Sequence, residues 1–173
     1  MSTTTRSRNA RSLLNPGADG MALIIGLGNP LRGDDAVGRN VAAQIKRQNQ
    51  PLLKIVEYAG EGTGLIELWA NAGIVIVVDA IASGAEPGII RRFDATQKAL
   101  PVQFYGGSTH SIGLAEAVEL ARALHQLPQR LIIFGIEGKR FDIGTDLSPE
   151  VEKIVPRVVA LVLEEARQEL KVE

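Results

Sequence analysis

Cysteine is absent from all 173 residues. Disulfides, thiolate metal ligands and cysteine nucleophiles are therefore excluded, and any metal has to be held by nitrogen and oxygen. Aromatic residues make up only 4% of a chain that is 45% hydrophobic. A core must then be built from Val, Ile, Leu and Ala, as in layered α/β proteins. Net charge is almost absent too, at −1, so there is no general attraction to the phosphate backbone of a nucleic acid. No apolar run approaches the roughly 20 residues that cross a bilayer, which excludes a membrane-spanning helix. Together these absences suit a reducing compartment, and a cytoplasmic location is expected, with neither nucleic acid nor membrane as partner. They do not fix an oligomeric state.

What is present reads as one domain, since 173 residues bury one core comfortably and are too few for two ordinary ones. Residues 1–20 carry Arg6, Arg8 and Arg11 among Ser, Thr, Asn and Gly and are expected to form a disordered tail. Residues 21–173 form the folded unit. Met21 to Gly28 is an apolar run ending in glycines, the pattern of a buried parallel strand entering a tight turn. Val37 to Gln48 has helical spacing, and Leu52 to Tyr58 is a second strand. Gly60 to Gly64 is a loop leading into a short helix through Trp69. Ile74 to Val78 is entirely β-branched and should form a strand buried on both faces, ending at Asp79. After a turn at 84–88, Ile89 to Phe93 returns as a neighbouring, antiparallel strand. Helical spacing resumes from Ile112 to Leu124, and Leu131 to Ile136 is the last strand. Ser148-Pro149-Glu150 offers a hydroxyl cap, a proline where a missing N–H costs nothing, and an acid at the positive helix end. Pro156 should kink or break the helix that follows, which runs to about Leu170. The expected architecture is a three-layer α/β/α domain with a mostly parallel, twisted sheet of about five strands. Its ligands should bind beyond the carboxyl ends of those strands.

Gly26-Leu27-Gly28 after the first strand resembles the start of a dinucleotide loop, but the third glycine of G-x-G-x-x-G is replaced by Leu31. Pro30 removes an amide that could hold phosphate, and Asp34 and Asp35 would repel an anion. One of these two acids can cap the following helix while the other faces the crevice, because adjacent side chains differ in direction by about 100°. Asp79 follows the central strand, so Asp35 and Asp79 belong at the same sheet edge. His110 lies in a polar Gly-rich loop feeding a helix, whereas His125 follows a helix and receives no role. Two carboxylates and an imidazole, Asp35, Asp79 and His110, offer three oxygen and nitrogen ligands with positions left open. That donor set fits Zn, Ni or Fe without choosing among them.

Three segments carry a resemblance: Gly26-Leu27-Gly28-Asn29-Pro30-Leu31-Arg32-Gly33-Asp34-Asp35-Ala36-Val37-Gly38, Val77-Val78-Asp79-Ala80, and Ser108-Thr109-His110-Ser111-Ile112-Gly113-Leu114. With Gly135-Ile136-Glu137-Gly138 and Leu147 to Val151, they resemble the endopeptidases that mature the large subunit of nickel-iron hydrogenases. The resemblance implies that Asp35, Asp79 and His110 are the metal-facing and catalytic residues. It implies that nickel arrives with the hydrogenase large-subunit precursor as a recognition element, although another divalent metal could occupy the site. A short carboxyl-terminal peptide would then be removed. Glu57 and Glu61 stay unassigned, because the register of the loop after the second strand is not fixed. Two other readings compete. Peptidyl-tRNA hydrolases share the Gly-Leu-Gly-Asn-Pro turn, and a non-catalytic metal chaperone or binding module could use the same three ligands.

Overall fold

The computed structural model describes residues 20–59, 62–104 and 113–171. The tail expected over 1–20 thus lies outside the described residues except for Gly20. Five strands form one sheet in the order β2-β1-β3-β5-β4. They are β1 (Ala22–Leu27), β2 (Leu53–Tyr58), β3 (Ile74–Ile81), β4 (Ile90–Asp94) and β5 (Arg130–Glu137). All neighbours are parallel except β4, which runs antiparallel to β5. The helices are α1 (Val37–Lys46), α2 (Gly62–Trp69), α3 (Leu114–Ala123), α4 (Pro149–Glu152) and α5 (Val155–Lys171). The expected three-layer arrangement is therefore the one observed.

Alternation along the central strands divides the core in two. Leu23, Ile25, Val75, Val77, Leu131 and Ile133 pack with α2 and α3. Ile24, Ile76, Val78, Ile132 and Phe134 pack with α1 and α5 on the other face. A strand with a helix against each face must be apolar at every position, and β1 is buried at all 6. β2 lies at the sheet edge and is only partly covered, with Lys54 and Glu57 exposed.

Several ends differ from the sequence expectation. β3 does not stop at Asp79 but continues to Ile81, because β5 goes on offering partners after β1 has turned away. Neither Asp34 nor Asp35 caps α1: both lie in a 3-10 turn, Gly33–Ala36, and the residue at the α1 N-cap is Ala36. Ser148 stands at the N-cap of α4, but its hydroxyl makes no cap bond. It donates instead to Asp34 Oδ2 at 2.8 Å. The terminal helix breaks as Pro156 requires, into α4 and α5, and the proline sits one residue inside the new start where its missing N–H is tolerated.

His125 turns out to end α3. It adopts φ 56, its N–H bonds Arg122 O at 3.2 Å, and the Gln126 N–H bonds Ala121 O at 2.8 Å. This paired closure places a left-handed residue just past the helix, a position that favours glycine. An exposed His125→Gly substitution is expected to raise stability by about 0.5–1 kcal/mol, read as a higher urea midpoint.

Candidate active site

The strand order places a switch point between β1 and β3. From β1 the chain moves outward to β2 with α1 on one face, then returns across β1 to β3 with α2 on the other. The connections diverge there, and the carboxyl ends of β1 and β3 leave a crevice between them, where open α/β sheets bind their ligands.

Asp35 reaches this crevice from the turn after β1. Gly28 makes the turn possible in two ways: its φ is +127, and a Cβ on it would collide with the Asp35 carbonyl oxygen. A side chain at 28 would therefore push Asp35 away. The Asp35 carboxylate is held by the Asn29 N–H, donated to Oδ2 at 2.7 Å. Asn29 is itself fixed, since its Oδ1 accepts the Leu31 N–H at 2.9 Å.

Asp79 enters from β3. Pairing of β1 with β3 ends at Gly26 and Val78, one residue short of it, while pairing with β5 continues through Asp79 and Gly135. Asp79 is thus set by its pairing with β5 and has no partner residue on β1. Its Oδ1 accepts the Ala80 N–H at 2.9 Å. Removal from water pushes its carboxyl up to about 7 from 3.8, and the Asp35 charge pushes in the same direction. Two acids from segments more than forty residues apart in sequence therefore feel each other at one mouth of the sheet. Asp35 Oδ1 and Asp79 Oδ2 accept no hydrogen bond from the described residues. Carboxylate oxygens are the donor type that suits a hard or borderline divalent metal.

His110 and Glu61 lie outside the described residues. Among those described, no group of three or more His, Asp or Glu side chains could hold a metal. Glu57 is engaged elsewhere, in an ion pair with Arg39 at 3.6 Å.

Two further carboxylates shape the same edge, and neither faces the crevice. Asp34 is fully buried. It accepts the Ser148 N–H at 2.6 Å and the Ser148 hydroxyl at 2.8 Å, with the N–H groups of Lys139 at 2.7 Å and Arg140 at 3.1 Å. Burial alone would raise its pKa, but these donors outweigh burial and hold it below the ordinary aspartate value. Glu137, 1% exposed, accepts the Ser83 N–H and hydroxyl at 2.8 and 2.7 Å and the Gly84 N–H at 3.0 Å. It braces the chain leaving β3 just beyond Asp79. The sequence offered a signal for Glu137, an acid closing an otherwise apolar buried strand. For Asp34 there was only its adjacency to Asp35. A cleft of about 440 Å³ beside this turn is lined by Gly33, Asn40, Arg140, Thr145 and Asp146 among others, and neither Asp35 nor Asp79 lines it.

A three-layer domain with two interacting acids at the switch point of its sheet defines a class of α/β domains, and comparison with known proteins narrows it. The hydrogenase maturation protease family model matches residues 39–165, a span that includes Asp79 and position 110 and begins just after Asp35. A Methanocaldococcus jannaschii protein assigned to the hydrogenase maturation proteases is 31% identical over 84% of this chain and 96% of its own length. The hydrogenase 2 maturation protease of Escherichia coli is 28% identical over 84% of this chain and 90% of its own. The solved structure of the hydrogenase maturating endopeptidase HybD from E. coli superposes with a TM-score of 0.75 at 25% identity, covering 86% of this chain and 93% of that one. The chain belongs to the hydrogenase maturation protease family, and its class of activity is endopeptidase. The peptidyl-tRNA hydrolase reading rested on the first turn alone, whereas the family match runs through the body of the domain. Among the described residues no helix is long and apolar enough to cross a membrane.

Proposed function

We propose that this protein removes the carboxyl-terminal extension of a nickel-loaded nickel-iron hydrogenase large-subunit precursor in the cytoplasm. Nickel carried by the precursor is the recognition element, and Asp35, Asp79 and His110 are the side chains that meet it. The single observation supporting this reading is the convergence of Asp35 and Asp79 at the switch point, where the charge of Asp35 adds to burial in raising the Asp79 carboxyl. A pair of carboxylates is what a substrate-borne cation needs.

In the hydrolysis, water oxygen joins the scissile carbonyl carbon, the C–N bond breaks, and the departing amine takes up a proton. Burial and the Asp35 charge raise the Asp79 carboxyl in the free protein, and a cation arriving with the substrate offsets both by favouring the carboxylate that meets it. The proton given up by the attacking water passes to the departing amine. Asp35, held by the Asn29 N–H, orients the cation and the tail beside it.

The test is to incubate the protein with the nickel-loaded precursor and weigh the large subunit. A mass loss equal to the terminal peptide is expected, and omission of nickel should abolish it. Asp35→Ala and His110→Ala should each slow cleavage by about 100-fold or more; a variant that cuts at the parental rate removes its residue from the site. Binding of the precursor with no mass change would instead identify a metal-binding or chaperone module.

A further inference from the structure

We propose that Asp34 is a positioning residue, which aims Asp35 by clamping the β1–α1 turn to the distant 138–148 segment. The proposal rests on the reading that Asp35 faces the substrate's metal. A short 3-10 turn is a weak device for aiming a side chain, since it provides few bonds of its own. Here the residue preceding it, Arg32, supplies no side-chain cap. Beyond its local bonds, Asp35 N–H to Arg32 O at 3.1 Å and Arg32 N–H to Asn29 O at 3.2 Å, the turn is held from more than a hundred residues away. The Asp34 N–H donates to Arg140 O at 2.9 Å, and the Gly33 N–H donates to Thr145 O at 3.1 Å. The Asp34 carboxylate receives the four donors from Lys139, Arg140 and Ser148. Three of those donors meet Oδ2 and one meets Oδ1, and the side chain is fully buried, so Asp34 is turned away from the crevice although it adjoins Asp35 in sequence. The two acids divide the work: Asp34 is spent on the protein interior, and Asp35 is left with one backbone donor, the Asn29 N–H.

The clamp is tight on both sides. A Cβ on Gly33 would press on Arg140 O and Thr145 Oγ1 at 2.6 Å each, and one on Gly138 would meet Phe141 and the Asp34 Cβ. Loosening the carboxylate's bonds lets the turn drift away from the 138–148 segment, and the Asp35 carboxylate drifts with it. A shift of about 1 Å in a group that orients substrate costs on the order of 100-fold in rate.

Amide hydrogen exchange tests this without any hydrogenase, because the Asn29 N–H reports whether Asp35 is in place. In Asp34→Asn, whose amide puts a donor where donors already converge, Asn29 protection should fall about 10-fold or more while Ile76 and Ile132 in the central strands stay protected. Should Asp34→Asn not fold, Ser148→Ala, which removes one of the four donors, should reduce Asn29 protection about 3-fold with the same core amides unchanged. In precursor cleavage, the folded variant should lose about 100-fold in kcat with KM within about 3-fold of the parent. Unchanged Asn29 protection in the folded variant overturns the proposal, as does a loss of protection shared equally by Ile76 and Ile132. If parental protein leaves the precursor uncut while the exchange result holds, the proposed function has failed and the clamp stands.

Discussion

Asp79→Asn is expected to abolish precursor cleavage and at the same time to make the protein more stable at pH 8. The carboxyl of Asp79 is raised in the folded state from 3.8 to about 7, chiefly by burial and secondarily by Asp35. A group whose folded pKa exceeds its unfolded one favours folding while protonated. Its contribution is fully present below about pH 4 and is lost as pH rises through 7. Above that, the folded chain carries a poorly hydrated carboxylate beside a second one. A rise from 3.8 to about 7 would correspond to roughly 4 kcal/mol, but Asp79 is only partly buried from solvent and screening reduces it, so a gain of about 1–3 kcal/mol is expected from asparagine. The asparagine oxygen can still accept the Ala80 N–H that Asp79 Oδ1 accepts at 2.9 Å. Its amide can donate to Asp35. Urea unfolding of both proteins at pH 4 and pH 8 decides the matter: the difference should be near zero at the first and largest at the second. Equal stability at both pH values would show that Asp79 ionises like an exposed aspartate.

The same pair of acids shows how far the sequence carries. That Asp35 and Asp79 share one edge followed from two apolar parallel strands each leading to an acid, and burial of β1, β3 and β5 on both faces was legible from their unbroken apolar runs. A returning strand was legible from the turn at 84–88, but its place was not: β4 does not lie beside β3, and pairs antiparallel with β5 at the sheet edge. Where β3 ends was not, because that depends on β5 continuing beyond β1, a property of the partner strand. The roles of Asp34 and Ser148 were hidden more deeply. Each sits where local rules ask for a helix cap, and each is taken instead by the other across 114 positions. A hydrogen bond of that span leaves no periodic trace. Capping is a local competition, and here a buried carboxylate with four donors prevails over a single cap bond.

Gly38→Val should be the most damaging single change outside the crevice. Gly38 opens α1 where the helix crosses the sheet, and a Cβ there would run into Val78 O and the backbone of Leu27, while one on Gly26 would strike Gly38 O and the Ala42 side chain. Helix and strands thus meet backbone to backbone, with no flexible side chain able to yield. Two effects oppose each other at this position. Replacing glycine in a helix by alanine ordinarily stabilises by about 1 kcal/mol, whereas overpacking against fixed backbone costs about 1–3 kcal/mol or more. Overpacking therefore wins: alanine should cost about 2 kcal/mol, and valine, β-branched and larger, about 3–5 kcal/mol in urea unfolding. The displacement also reaches the site. Lifting the start of α1 carries the turn at 33–36 away from β3, so the charge of Asp35 presses less on Asp79. In folded Gly38→Ala the Asp79 carboxyl, followed by carbon-13 NMR, should titrate below its parental value of about 7 without returning to 3.8, because burial, the larger cause, is untouched. A valine variant as stable as the parent would mean that α1 does not rest on the sheet through this glycine, and the route by which the fold brings its two acids together would have to be sought elsewhere.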